Sequence, residues 1–274
     1  MNRRSITWAV LLAAFGAVGC DLNVQNPNAP DTHRVLETPT DAENLLAAYY
    51  KRWHDGLFRG LTVFEGMSSV MSYMNYSSLA NNCMNTSAPG PAGILNNNTP
   101  GNVCFGEQYR VYQVEEEVVH VASSFLGTLG TASLPSIGSP KRDARDKAFA
   151  EFLRGLAMSY LALYYDSSAV ITPAQAVASP PSPGTLSTYA DVRDSAFAAF
   201  DRAISYAEAS ATAAGTPSDG FPLPSTWIPS PTTFDTTAFI QLIHSYKARV
   251  RAQVPRDTAS RASRSTAACS FAQA

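Results

Sequence analysis

The segment "SPKRDARDKAFAEFLRGLAMSYLALYYD", residues 139–166, limits the fold more than any other stretch of this chain. Phe149, Phe152, Leu153, Leu156, Tyr160, Leu163 and Tyr164 recur at intervals of three and four, which lines them along one face of a helix. Ser139 followed by Pro140 reads as a cap and a first helical residue. Gly155, Ala157 and Ser159 are small and admit a close neighbour.

The same period recurs elsewhere. In "TPTDAENLLAAYYKRWHDGLF", residues 38–58, Thr40 with Glu43 three places on forms a capping-box pattern. Leu45, Ala48, Tyr49 and Trp53 then share a face. A further helix is predicted over Phe64–Tyr73, and another around 107–129 with Val111, Val114, Val118, Val121 and Phe125 in one stripe. Residues 187–211 repeat the design with Val192, Ala196, Phe200, Ala203, Ile204 and Ala207. Residues 235–254 do so with Phe239, Ile243, Tyr246 and Val250. No alternating run is long enough for a substantial sheet, so the expected class is all-α with long irregular loops. Those loops are residues 76–106, 171–186 and 215–234. Links of such length are commonly binding surface or disorder.

The amino terminus has a different logic. Arg3 and Arg4 precede an apolar stretch from Ile6 to Val18, and the small residues Ala17, Val18 and Gly19 lead to Cys20. This is the layout of an export signal. The run is too short to span a hydrocarbon core, which takes about 20 helical residues. Small residues ending in cysteine resemble a bacterial lipoprotein box, although Ala17 stands where that box usually has Leu. The expectation is a signal peptide over 1–19 and lipidation of Cys20, with a proline-punctuated tether over 20–39. Several acyl chains hold a membrane stably where one does not.

Cys83 and Cys104 bound a loop rich in Asn, Gly and Pro, and in an exported protein they can close a disulfide. Such a bridge stabilises by roughly 3 kcal/mol in the chain-entropy account; two unpaired thiols are the alternative. Neither has a CxxC partner, which argues against zinc. An apolar fraction of 45% suits a globular core, and a net charge of −2 gives no general pull toward nucleic acid.

Three of the helical segments look like one family in their order. Residues 148–172, "AFAEFLRGLAMSYLALYYDSSAVIT", resemble a segment of SusD/RagB-like outer-membrane lipoproteins. There an Ala/Phe-Leu-Arg-Gly/Ala helix runs into a Leu-x-x-x-Tyr ending. "TYADVRDSAFAAFDRAISYA" and "FIQLIHSYKARVRAQV" resemble the next two helices, and "CDLNVQNPNAPD" resembles the mature start. The likeness covers most of residues 20–254. It implies tetratricopeptide-like helical hairpins over 40–254 and a glycan- or peptide-binding lipoprotein partnered with a TonB-dependent, SusC-like transporter. Family members are usually longer. After Val254 the chain turns Arg-, Ser- and Ala-rich, so residues 255–274 are expected to be an atypical tail, from a truncated or frame-shifted reading frame or from a genuinely short protein.

Chemistry-bearing patterns are sparse. "VEEEVVH" sets Glu116 and Glu117 four and three residues before His120, a spacing used in carboxylate-bridged di-metal bundles. With no second such pair, a solvated helix face is expected. His54-Asp55 reads as a surface pair at a helix end. Arg154, among apolar neighbours, is expected to pair with a carboxylate. Lys247, Arg249, Arg251, Arg256, Arg261 and Arg264 are expected on a solvated face and a loose tail. There is no nucleophile elbow and no phosphate-cradling glycine loop, so neither catalysis nor a cofactor is expected. The ligand candidates are Asn75 and Tyr76, with Asn81 and Asn82, and Trp227 in "PSTWIPS". An aromatic plate beside amides suits a sugar; for Trp227 packing back onto the helices is the favoured reading over ligand contact. The overall expectation is an outer-membrane-anchored binding lipoprotein, facing either the cell surface or the periplasm. Its rivals are a helical scaffold lipoprotein of the envelope and a non-functional remnant.

Overall fold

In the computed structural model the described residues are 35–58, 101, 105–178, 184–256, 258 and 261, all within the unit Val35–Ala274. The helix predicted over 64–73 lies outside them. Six α-helices follow one another among the described residues. They are α1 (Pro39–Phe58), α2 (Phe105–Thr128), α3 (Pro140–Tyr164), α4 (Pro173–Ala176), α5 (Tyr189–Thr212) and α6 (Thr236–Gln253). Two three-residue strands, β1 (Ser167–Ala169) and β2 (Leu186–Thr188), pair antiparallel with Ser168 opposite Ser187. The class is all-α, as the periodicity requires.

Every residue of α3 from Ala148 to Ala162 is buried. A helix covered on all sides is a core element rather than a surface one, so α3 needs partners on more than the one face its stripe suggested. Helix α5 lies along it most extensively; α1, α2 and α6 also pack on it. Gly155 makes the α5 approach possible. A Cβ there would lie 2.6 Å from Cδ1 of the buried Phe200 ring, closer than carbon atoms pack.

The caps follow the sequence for α3 and depart from it for α1. Ser139 Oγ accepts the Arg142 N–H at 3.2 Å, with Pro140 as the first helical residue. Thr188 and Asp235 cap α5 and α6 in the same way. For α1 the cap expected at Thr40 is at Thr38, whose hydroxyl bonds Asp41 and whose carbonyl accepts from Ala42 at 3.0 Å. Glu43 is not a capping partner, because two arginines of α3, Arg142 and Arg145, hold its carboxylate. The buried line of α1 is accordingly Ala42, Leu46, Trp53 and Leu57; Leu45 and Tyr49 are half-buried and Ala48 is exposed.

The 215–234 link is a second departure. It turns through a 3-10 turn at Pro217–Asp219 and folds back to bury Leu223, Trp227 and Ile228. The Leu223 N–H donates to Phe234 O at 2.9 Å and closes it. Three apolar side chains scattered among prolines and polar neighbours carry no period, so a core segment without regular structure reads as a loop.

Candidate functional site

Of the residues singled out for function, Cys20, Asn75, Tyr76, Cys83 and Cys104 lie outside the described residues, as do Asn81 and Asn82. Trp227 is described and lies in the core at 4% exposure. Its ring centroid is 4.7 Å from that of Phe149, and the Arg145 guanidinium sits 5.0 Å from its centre. A ring so enclosed stacks on protein, and no sugar face reaches it in this arrangement.

The "VEEEVVH" stretch is not the solvated face its charges suggest. Helix α2 packs against α1, α3 and α4, so the three glutamates meet three different environments. Glu115 is wholly buried. Glu116 is half-buried and accepts the backbone N–H of Ala169 at 3.0 Å. Glu117 faces α1, accepting from Tyr49 Oη at 3.1 Å and from Arg52 Nη2 at 2.8 Å. His120 Nδ1 lies 3.4 Å from Ser124 Oγ on its own helix. Among the described residues no group of three or more His, Cys, Asp or Glu side chains could hold a metal ion.

The Glu117 pairings border an open hollow of about 320 Å³, large enough for a small ligand moiety. Ala48, Tyr49, Lys51, Arg52 and Asp55 line it from α1, and Glu117 from α2. Lys51 pairs with Asp55 one turn on, so both charge signs line the hollow. Burial and the Glu117 carboxylate push the Tyr49 phenol up to about 12, which keeps it a neutral donor. A phenol, a guanidinium fork and two carboxylates offer donors and acceptors to a hydroxyl-rich or zwitterionic group. Sequence reasoning missed this place because Tyr49 counts as a core position in the α1 stripe. The signal was its company, Lys51 with Asp55 and Arg52 on one helical turn.

Elsewhere the charges are structural. Arg154, 4% exposed, donates to Glu151 Oε2 at 2.9 Å and to Ile171 O at 3.1 Å, the carboxylate pairing its apolar setting demands. Lys247 departs from the solvated face expected of α6: it is buried and bound to Asp201 of α5. Arg256 is no loose-tail residue. It pairs with Asp166, donates to Ala162 O at 3.0 Å and Tyr165 O at 2.8 Å, and lies over the Tyr189 ring. It satisfies carbonyls that the end of α3 leaves without helical partners.

Asp146 on α3 yields a pH prediction. It is wholly buried and holds one bond, from Arg145 Nε at 2.9 Å, while its Oδ2 has no partner. Burial raises its carboxyl from the ordinary 3.8 to about 7, against the opposing pull of Arg145. The native chain therefore holds this proton more tightly than the unfolded chain. Its stabilising contribution is full below about pH 3.8 and is lost as the pH rises through about 7. Thermal melts from pH 4 to 8 are expected to show a falling midpoint, and Asp146→Asn to remove the part of the fall that runs between about pH 4 and 7 and levels off above it. An unchanged profile in the variant would show that the Asp146 carboxyl binds its proton no more tightly in the folded chain than in the unfolded one.

No family model, no curated protein and no solved structure matches this chain. Among the described residues no helix is long and apolar enough to cross a membrane.

Proposed function

We propose that this chain is a lipid-anchored binding protein of the SusD/RagB kind, which captures a glycan or peptide nutrient for a TonB-dependent outer-membrane transporter. The observation that carries the reading is the order of the motifs. A cysteine closes an export-type apolar run, and "AFAEFLRGLAMSYLALYY", "TYADVRDSAFAAFDRAISYA" and "FIQLIHSYKARVRAQV" then come in the family's order. The last three are α3, α5 and α6, helices that pack on one another in one all-α body. In this reading Cys20 carries the acyl chains, the helices form tetratricopeptide-like hairpins, and loops and hollows on the scaffold do the recognising. The hollow beside Tyr49, Arg52 and Glu117 offers a polar ligand hydrogen-bond donors and acceptors of both charge signs. Capture is reversible and involves no bond chemistry.

The test is purification of the full chain from outer membranes with its anchor intact. Recovery with a large β-barrel transporter is expected. Recovery without any such partner contradicts the reading. It then favours the second one, a helical scaffold lipoprotein of the envelope, which the enclosed position of Trp227 supports.

A further inference from the structure

Glu115 is a buried acid to which ligand capture gives no role. It is 0% exposed, and neither of its carboxyl oxygens has a hydrogen-bond partner. Its helical neighbours Val111, Val118 and Val119 are buried with it. A buried polar group left without partners is costly, and a buried unpaired charge is far more so. The groups around it do not supply a counter-charge. On α2 itself the adjacent ionisable group is Glu116, of like sign, with Tyr112 one turn away; Glu117 is turned to α1. From the end of α3 comes Tyr165, a neutral phenol. Strand β1 brings Ser168 and the Ala169 backbone, and α4, "PAQA", carries no titratable residue. From α1, Tyr49 and Arg52 are committed to Glu117, and Gly56 meets the neighbouring Val114.

The same turn of α2 fastens that helix to the segment just beyond α3. The Tyr112 N–H donates to Tyr165 Oη at 3.0 Å, and the two rings meet edge to face at 5.1 Å. Glu116 clasps Ala169 of β1. The seam shuts solvent away from Glu115, so it closes only around an uncharged side chain.

We propose that Glu115 is a proton-operated latch: protonated, it lets α2 close against the end of α3 and β1, and on losing its proton to solvent it parts that seam. Opening lets water reach the carboxylate and screen it from Glu116, at the expense of the Glu116–Ala169 and Tyr112–Tyr165 bonds. The direction is fixed. Burial, with Glu116 adding to it, raises the Glu115 carboxyl well above its ordinary 4.5, so the closed form binds the proton more tightly than the open form. Closure is complete below about pH 4.5 and weakens as the pH rises through the closed-state value.

Hydrogen exchange of the full chain, read at the Ala169 amide and corrected for the intrinsic pH dependence, tests this. Protection is expected to fall by up to about tenfold per pH unit between about pH 4.5 and the closed-state value, and to level off above it. Glu115→Gln, which keeps the shape and cannot ionise, is expected to hold it constant from pH 5 to 9. Repeating both in an Asp146→Asn background keeps the other buried acid from being read in its place. Wild-type protection that does not fall overturns the proposal, and so does a Glu115→Gln chain that falls in parallel. Should Glu115→Gln not fold, Glu115→Met is read in the same way. Should neither fold, the wild-type profile decides: flat protection overturns the latch, and a fall accompanied by loss of a protonated-carboxyl infrared band supports it.

Discussion

Phe152→Ala is expected to remove about 3–5 kcal/mol of stability, the cost of deleting a fully buried aromatic side chain and leaving its cavity. The size follows from where the ring sits. Phe152 is 0% exposed, and its centroid lies 5.4 Å from that of Phe239, 5.9 Å from Tyr246, 6.1 Å from Phe149 and 6.3 Å from Phe200. One ring on α3 thus touches aromatic neighbours from α5 and α6 as well as its own helix. Total stability of a folded domain is about 5–15 kcal/mol, so the loss approaches a large share of it. Urea unfolding should show a lower midpoint with an unchanged slope. A loss under about 1 kcal/mol would mean that α5 and α6 do not close on this ring.

Glu151→Ala should cost nearly as much by a different route. Glu151 is 3% exposed and joins two arginines, Arg154 on its own helix and Arg202 on α5, the latter through Nε at 2.7 Å and Nη2 at 3.1 Å. Arg202 is 45% exposed at its side chain and can turn to water. Arg154 cannot; removing its carboxylate strands a guanidinium whose burial already lowers its affinity for the proton. Breaking a buried pair from one side costs about 3–5 kcal/mol, whereas replacing both members by apolar groups of like volume is often neutral. The double change Glu151→Leu with Arg154→Met is therefore expected to recover most of what Glu151→Ala loses. Equal losses in the single and double variants would contradict the pairing as the source of the effect.

Both residues show how far the sequence reaches. The stripe through Phe149, Phe152, Leu153 and Leu156 announced α3, and Ser139-Pro140 marked its first turn, because these are local signals. The stripes of α2, α5 and α6 were legible for the same reason; Val118, Phe200 and Ile243 are all fully buried. Arg154 was readable as a paired charge because no water-facing side of its neighbourhood was available.

What escaped depends on partners distant in sequence. Glu43 belongs to Arg142 and Arg145, 99 and 102 residues away, and this long-range pairing accompanies an α1 cap at Thr38 instead of Thr40. Lys247 and Arg256 look like surface cations until Asp201, Asp166 and the α3 carbonyls are brought beside them. Glu115 lies in a run of three acids that by composition belongs in water, and only the covering of α2 from several sides separates it from its neighbours. The hollow at Tyr49 was hidden in another way, since one aromatic on a helix serves equally as core or as a ligand's platform. The functional residues offered by sequence fall mainly outside the described part, and Trp227 lies in the core, the packing the sequence favoured for it, although the link that carries it has no period.

The proposal about place and partners rests on one covalent event at one thiol. Intact-mass and peptide mass spectrometry of the mature amino terminus reads that event directly. A chain beginning at Cys20 and carrying acyl groups is the predicted result; an unmodified cysteine, or a mature chain that begins at another residue, would contradict it.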